Sequence, residues 1–176
     1  LAKKAVMHTK EMSKKYKGEI ALSIENTKFY DRQPDLETSG DLPEIEVVDL
    51  DSVSAIHKYS SENMAVLNFA SYKFPGGGFI RGSSAQEEAL CQHSYLYNVI
   101  SDFDSTVYEW NRNNLNKGMY LNRGLYSPDI MFDDKTKCSV ITVPAPNKSI
   151  MLKYGNFTEE ENAKALLHRV KLIIDI

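Results

Sequence analysis

Two carboxylates stand side by side in Gln86-Glu87-Glu88, and the triplet Gly76-Gly77-Gly78 ends seven residues before them. Upstream, Asn68 closes an apolar run and Ser71 follows it. Three successive glycines have no Cβ atoms to hold a ligand off, so the backbone can approach closely and adopt φ > 0. Consecutive N–H groups in such a loop form an anion-binding concavity, and a helix starting just afterwards adds its partial positive end. That chemistry suits a phosphate, pyrophosphate or sugar-phosphate, although a glycine turn can also be only a turn. The spacing fits neither the Walker loop nor the dinucleotide fingerprint.

Each glutamate has a plainer reading. Ser84-Ala85-Gln86-Glu87 matches a capping box in which Glu87 reaches back to the Ser84 N–H. An acid in a first helical turn is stabilised by the helix dipole in any case. Glu88 lies one place past that position, about 100° round the helix. A helix N-terminus lowers a carboxyl pKa, whereas a general acid near neutrality needs it raised, so burial and neighbouring charge must win. Adjacent acids also differ from the usual glycosidase pair, which flanks the scissile bond at ~5–9.5 Å. If glycoside cleavage is the chemistry, one carboxylate does most of it and the other holds the sugar.

The elements that must position these residues can be taken in order. Residues 2–17 predict a surface helix stopped by Gly18, and Ile20–Ile24 predicts a short strand. The polar stretch Glu25–Pro43, with Pro34 and Gly40, predicts a long loop. Ile45–Leu50 predicts a strand, and Asp51 or Ser52 caps a short helix through Ile56 and Tyr59. Met64–Phe69 is a continuous apolar run, the pattern of a strand covered on both faces. One helix is expected over 85–100, loosely helical spacing over 102–118, and a strand or turn over Leu125–Phe132. A turn at 133–136 precedes a second buried strand, Cys138–Val143, stopped by Pro144-Ala145-Pro146-Asn147. Thr158-x-x-Glu161 caps a last helix carrying Ala165, Leu166, Val170 and Ile173. Two buried strands ending in special loops, with helices between, predict an α/β fold whose site lies at the strand carboxyl ends.

The totals fit one domain over residues 1–176, with about 1–43 as an N-terminal helix and loop extension and about 44–176 as the core. Net charge is −3 with scattered Lys and Arg, which excludes a basic stripe for tracking nucleic acid. Two distant cysteines, Cys91 and Cys138, read as reduced thiols of a cytoplasmic protein. His8, His57, His93 and His168 show no metal-ligand spacing. Asn156-Phe157-Thr158 fits a glycan acceptor but lacks a secretory context, and no apolar run reaches the ~18 residues of a membrane span. The basic start has no apolar stretch of signal-peptide length, and Leu1 implies that the gene product begins earlier.

The glycine triplet, seven residues and Gln86-Glu87-Glu88 together resemble the signature of poly(ADP-ribose) glycohydrolases, a divergent branch of the macrodomain fold. Leu67-Asn68-Phe69-Ala70-Ser71, Gln86–Cys91 with Ser94-x-Leu96-Tyr97, Tyr126-Ser127-Pro128 and Val140–Asn147 resemble the bacterial-type branch. The resemblance implies a three-layer α/β/α macrodomain-like fold with a mixed central sheet. It implies hydrolysis of the ribose–ribose bonds of poly(ADP-ribose), with Glu88 as acid/base and Glu87 holding ribose hydroxyls. Gly76, Gly77, Gly78 and Phe79 would wrap the pyrophosphate and distal ribose, with Asn68, Ser71 and Gln86 completing the substrate site. Ser71 stands where ordinary macrodomains carry asparagine. No metal and no cofactor are implied, and the partner is ADP-ribose or its polymer, without sequence-specific nucleic-acid binding and without a membrane. The family continues into a last strand, a second glycine-rich loop and a final helix. The chain stops at Ile176, so either a companion C-terminal fragment supplies that wall or the product is truncated. Rival readings are a non-catalytic ADP-ribose-binding macrodomain, a hydrolase of mono-ADP-ribosylated targets, and a plain α/β domain.

Overall fold

The computed structural model describes residues 1–32, 43–155 and 157–176. The chain runs through helices α1 (Ala2–Lys15) and α2 (Lys17–Asn26), strand β1 (Lys28–Asp31), helix α3 (Ser52–Lys58) and strand β2 (Ala65–Asn68). A 3₁₀ turn over Phe79–Arg81 leads to α4 (Gln86–Gln92) and α5 (Leu96–Ile100). After irregular turns come α6 (Glu109–Asn113), strands β3 (Arg123–Phe132) and β4 (Thr136–Thr142), and helices α7 (Lys148–Tyr154) and α8 (Glu159–Asp175).

The four strands form one mixed sheet in the order β1-β3-β4-β2. β3 pairs antiparallel with β1 and β4, while β2 runs parallel to β4, with Asn68 opposite Thr142. The parallel pair matters for function, because it brings the carboxyl ends of the two apolar runs together. The sheet is of the α/β class expected, and helices α2 and α5 pack on β3, α4 on β2 and α3 on β4.

The core lies between these helices and the sheet. Leu90, Tyr95, Leu96, Val99 and Ile100 meet Ile130, Phe132 and Val140 there, all fully buried. Ala5, Met12 and Ile20 from the first two helices enter the same cluster, so the N-terminal helices share the core of the strands.

Several local expectations are corrected. Ile20–Ile24 is helical, because a short apolar run carries no period that separates strand from helix. Here Ile20 turns into the core and Ser23 donates to the Pro128 carbonyl at 2.6 Å. Gly18 lies within α2, and the break between the two helices falls at Tyr16 (φ −117°, ψ 34°). Ile45–Leu50 pairs with no described strand, and Val47 is 93% exposed. β-branched residues favour strands by packing on a pleated neighbour, and none is supplied among the described residues. β2 is a strand but an edge one, with Ala65 exposed. The helix expected over 85–100 is broken at Ser94, whose hydroxyl donates to the Leu90 carbonyl and accepts the Leu96 N–H, while Ser94 itself bridges to Phe132.

Other expectations hold. Asp51 caps α3 by accepting the Val53 and Ser54 N–H groups at 2.9 and 3.0 Å. Thr158 and Glu161 make both bonds of their capping box. The face of α8 differs, however: Arg169 and Leu172 are buried, while Leu166 and Val170 are exposed. α7 was not foreseen, although Asn147 caps it through the Ile150 N–H and Gly155 ends it in the left-handed region. β1 falls inside the stretch read as loop. Pro34, Gly40 and Asn156 lie outside the described residues.

Candidate active site

The site begins at the end of β2, where the parallel pairing with β4 buries Asn68 completely. Its amide nitrogen donates to Glu87 Oε1 and Thr142 Oγ1, each at 3.3 Å, and its Oδ1 finds no partner among the described residues. Gln86 pins the same strand end from across the gap. Its amide nitrogen donates to the Leu67 carbonyl at 2.8 Å and to Ser52 Oγ at 3.2 Å, and its oxygen accepts the Phe69 N–H at 3.0 Å. One side chain therefore ties α3, β2 and the start of α4 together.

Glu87 is 4% exposed and Glu88 8%. Glu87 Oε2 accepts the Ser71 N–H at 2.7 Å. Glu88 Oε1 accepts the Gly78 N–H at 2.7 Å, and its Oε2 accepts the Ala85 N–H at 3.0 Å. The helix cap therefore differs from the expectation. The N-cap is Ala85, one residue later than Ser84, so the reach-back bond comes from Glu88 and Glu87 is free of it. Both acids stay at the helix start, but their bonds run to different loops.

Burial pushes the Glu87 carboxyl up to about 7. The neighbouring Glu88 charge pushes the same way, while hydrogen bonds from the Ser71 and Gly76 backbone and from Asn68 pull against it. Desolvation thus outweighs the helix N-terminus. At neutral pH this site can hold a proton on Glu87, and the neighbouring Glu88 side chain accepts two backbone amides.

Gly77 sits where both acids converge. It has φ +58°, and a Cβ added to it would stand 2.7 Å from Glu88 Oε1 and 2.9 Å from Glu87 Oε2. No side chain fits there, so the missing Cβ lets both carboxylates pack against the glycine loop. The triplet's amides are largely committed within the protein. Gly77 donates to the Phe74 carbonyl, and Gly78 donates to Glu88. The concavity expected for an outside anion thus holds this chain's own acid.

Asn68, Ser71, Gly76, Gly77, Gly78, Gln86, Glu87 and Glu88 are brought into one cluster. Phe79 points away: it is 4% exposed, edge-on to His8 at 6.3 Å and tilted against Tyr97 at 5.2 Å. The 3₁₀ turn that follows the glycines aims its ring into the core beneath the loop. Thr142 was not singled out from sequence. Its signal was its place at the carboxyl end of the second apolar strand, which the fold sets beside the first. Behind Ser71, a small space is bordered by Tyr108, Asn111, Arg123 and Thr142. Tyr108 and Asn111 each keep one buried polar atom without a partner among the described residues.

Among the described residues no group of three or more His, Cys, Asp or Glu side chains is placed to hold a metal ion. His57 and His93 instead share the Asp133 carboxylate, at 3.0 and 2.9 Å. Cys91 and Cys138 are buried free thiols, and burial raises the pKa of both. No helix among the described residues is long and apolar enough to cross a membrane.

The chain is similar to the poly(ADP-ribose) glycohydrolase of Thermomonospora curvata, at 24% identity and a TM-score of 0.80, the match covering 98% of this chain and 73% of that one. It is similar to the same enzyme bound to the inhibitor ADP-HPD, at 23% identity and 0.78, covering 98% and 72%. The Deinococcus radiodurans poly(ADP-ribose) glycohydrolase in complex with ADP-ribose matches at 26% identity and 0.70, covering 89% of this chain and 70% of that one. These likenesses give a macrodomain-like α/β fold. No curated protein matches the chain. The family model for the microbial-type PARG catalytic domain matches residues 1–133, the stretch that holds the glycine triplet and both glutamates, and the chain belongs to that family.

Proposed function

We propose that this chain hydrolyses the ribose–ribose O-glycosidic bonds of poly(ADP-ribose) and releases ADP-ribose, with Glu88 as general acid and then general base. In the first half, the glycosidic C–O bond breaks, its electron pair stays on the leaving 2′-oxygen, and Glu88 delivers the proton that neutralises it. The anomeric carbon takes on oxocarbenium character. In the second half, water adds to that carbon and gives its proton back to Glu88. Glu87, held near neutral pKa, meets the ribose hydroxyls either as donor or as acceptor. Asn68, Ser71 and Gln86 set the strand end against which the ribose rests, and the glycine triplet gives backbone-close access.

One observation carries this reading: both carboxylates converge on the bare α-carbon of Gly77 within van der Waals reach of a missing Cβ. A binding module needs the room but not two buried acids beside it. Cytoplasmic residence, in keeping with the two unpaired thiols, is part of the proposal. So is a further wall over the open side, on this polypeptide or a companion. The match to the Thermomonospora curvata enzyme covers 73% of that longer chain.

The test is Glu88→Gln. Release of ADP-ribose from the polymer should fall about 10²–10⁴-fold, the usual share of a positioned acid/base. ADP-ribose binding, followed by calorimetry, should stay within a few-fold. Unchanged release removes Glu88 as the acid. Tight ADP-ribose binding by a wild-type chain that leaves polymer intact makes the protein a reader. Release only from singly modified targets would move the substrate class to mono-ADP-ribosylated proteins.

A further inference from the structure

The reaction above has a leaving group, and it is large. Cleaving a ribose–ribose bond leaves the 2′-hydroxyl on the adenosine of the next unit, which carries its own pyrophosphate. That adenosine must lie within one sugar of Glu88. Gly77 borders both places: its missing Cβ faces Glu87 and Glu88, and it also lines a cavity of about 440 Å³ bordered by Phe74, Arg81, Tyr97 and Asp104. A space of that size lies within the range of small-ligand sites.

The charges in this cavity are unevenly used. Two guanidinium groups stack on the Phe74 ring, Arg81 at 5.3 Å and Arg112 at 5.6 Å from its centroid. Arg112 is committed: it pairs with Asp104 at 2.7 Å and donates to the Lys73 carbonyl at 3.0 Å. That pairing neutralises the one carboxylate of the cavity. Arg81 is exposed, and among the described residues no carboxylate pairs with it. It ends the 3₁₀ turn that follows the glycines, and Gly82 at φ +85° closes that turn, so its backbone is continuous with the loop that holds Glu88. A guanidinium held over an aromatic ring with no paired carboxylate among the described residues, in a cavity that Gly77 also lines, is suited to a pyrophosphate.

We propose that this cavity is a subsite for the departing unit of the polymer. In it Arg81 pairs with the pyrophosphate of the adenosine whose 2′-oxygen leaves, and Phe74 holds the guanidinium in place. The ligand class is a nucleoside diphosphate joined through its 2′-oxygen. The inference rests on the polymer as substrate. It assigns Arg81 to the unit beyond the scissile bond and not to the ADP-ribose that is released.

The experiment compares wild type, Arg81→Ala, Arg81→Lys and Phe74→Ala. Size-fractionated poly(ADP-ribose) and free ADP-ribose serve as probes. Arg81→Ala should raise KM for the polymer about tenfold, the weight of one charge-assisted contact, with kcat nearly unchanged. The Kd for free ADP-ribose should move less than twofold. Arg81→Lys should recover part of the loss, and Phe74→Ala should show a smaller loss of the same kind. An unchanged polymer KM overturns the subsite. So does an equal weakening of polymer and free ADP-ribose, which would put Arg81 on the released unit. Polymer retention on filters, measured on a Glu88→Gln background with and without Arg81→Ala, reads the subsite without catalysis. If wild type releases nothing, the hydrolase reading falls, and a tenfold loss of polymer retention still supports the subsite while no loss overturns it.

Discussion

Glu88 accepts the Gly78 N–H at 2.7 Å across ten residues of sequence, so the glycine loop fixes the side chain proposed as the acid/base. The residue before, Gly77, lets that side chain pack against its bare α-carbon, since a Cβ would stand 2.7 Å from Glu88 Oε1. Adjacent glycines therefore have different tasks, one donating to the acid and the other making room for it. An amide N–H bonded to a carboxylate is a charge-assisted contact, shorter and stronger than a neutral one.

Gly77→Ala should separate the two tasks. The methyl would meet Glu88 Oε1 at 2.7 Å and Glu87 Oε2 at 2.9 Å, on a backbone at φ +58° that alanine disfavours. The left-handed conformation costs about 1–2 kcal/mol. Urea unfolding should show a loss of about that size, while turnover should drop by far more, because both carboxylates must move. Equal, modest losses in the two measurements would mean that the site tolerates displacement.

Glu87 predicts a pH dependence of stability. Burial raises its carboxyl from 4.5 to about 7, so between those values the folded state binds a proton that the unfolded state releases. The stabilisation is full below the unfolded value and is lost as pH rises through about 7. At roughly 1.4 kcal/mol per pH unit this amounts to about 3 kcal/mol. Glu87→Gln should flatten this slope between pH 4.5 and 7 and be the more stable protein above pH 7. Chemical denaturation at a series of pH values checks it. Equal slopes for wild type and Glu87→Gln over that window would show that Glu87 ionises as freely folded as unfolded.

Arg169 predicts a structural effect remote from the acids. Its guanidinium, 3% exposed, donates to the Pro144 and Met119 carbonyls at 3.1 Å each, and burial pushes its pKa down to about 10. It fastens α8 to the loops before β3 and after β4. Arg169→Ala leaves two buried carbonyls unpaired, at a cost of about 2–5 kcal/mol by urea unfolding. Arg169→Lys should recover little, since a single ammonium cannot reproduce the planar fork. A change below 1 kcal/mol would mean that water replaces the arginine there.

Much of the site was legible because its parts are local. Three glycines in a row need no distant residue to make a close-approach loop. The Met64–Phe69 and Cys138–Val143 runs are apolar enough to read as strands, and the caps at Asp51 and Thr158 are four-residue patterns. Gln86-Glu87-Glu88 after the triplet marked the acids, and the likeness of several words in order marked the family. Ile20–Ile24 failed for the reciprocal reason: five residues hold too little periodicity, and the choice between helix and strand was left to what they pack on. Ile45–Leu50 failed because a strand needs a neighbour as well as a propensity.

What the sequence alone determined is the composition of the site: a bare backbone, an amide at a strand end and two acids at a helix start. Only the tertiary structure decided how those acids differ. The helix begins one residue later than the local pattern suggests, and that gives the reach-back bond to Glu88. The fold buries Glu87 against Asn68 and the Ser71 amide, and that raises its pKa. It also turns Phe79 into the core and leaves Arg81 outside. The reason is physical. Turns and caps depend on a few consecutive residues, whereas desolvation depends on every atom that the fold brings near, and no short stretch of sequence contains that sum.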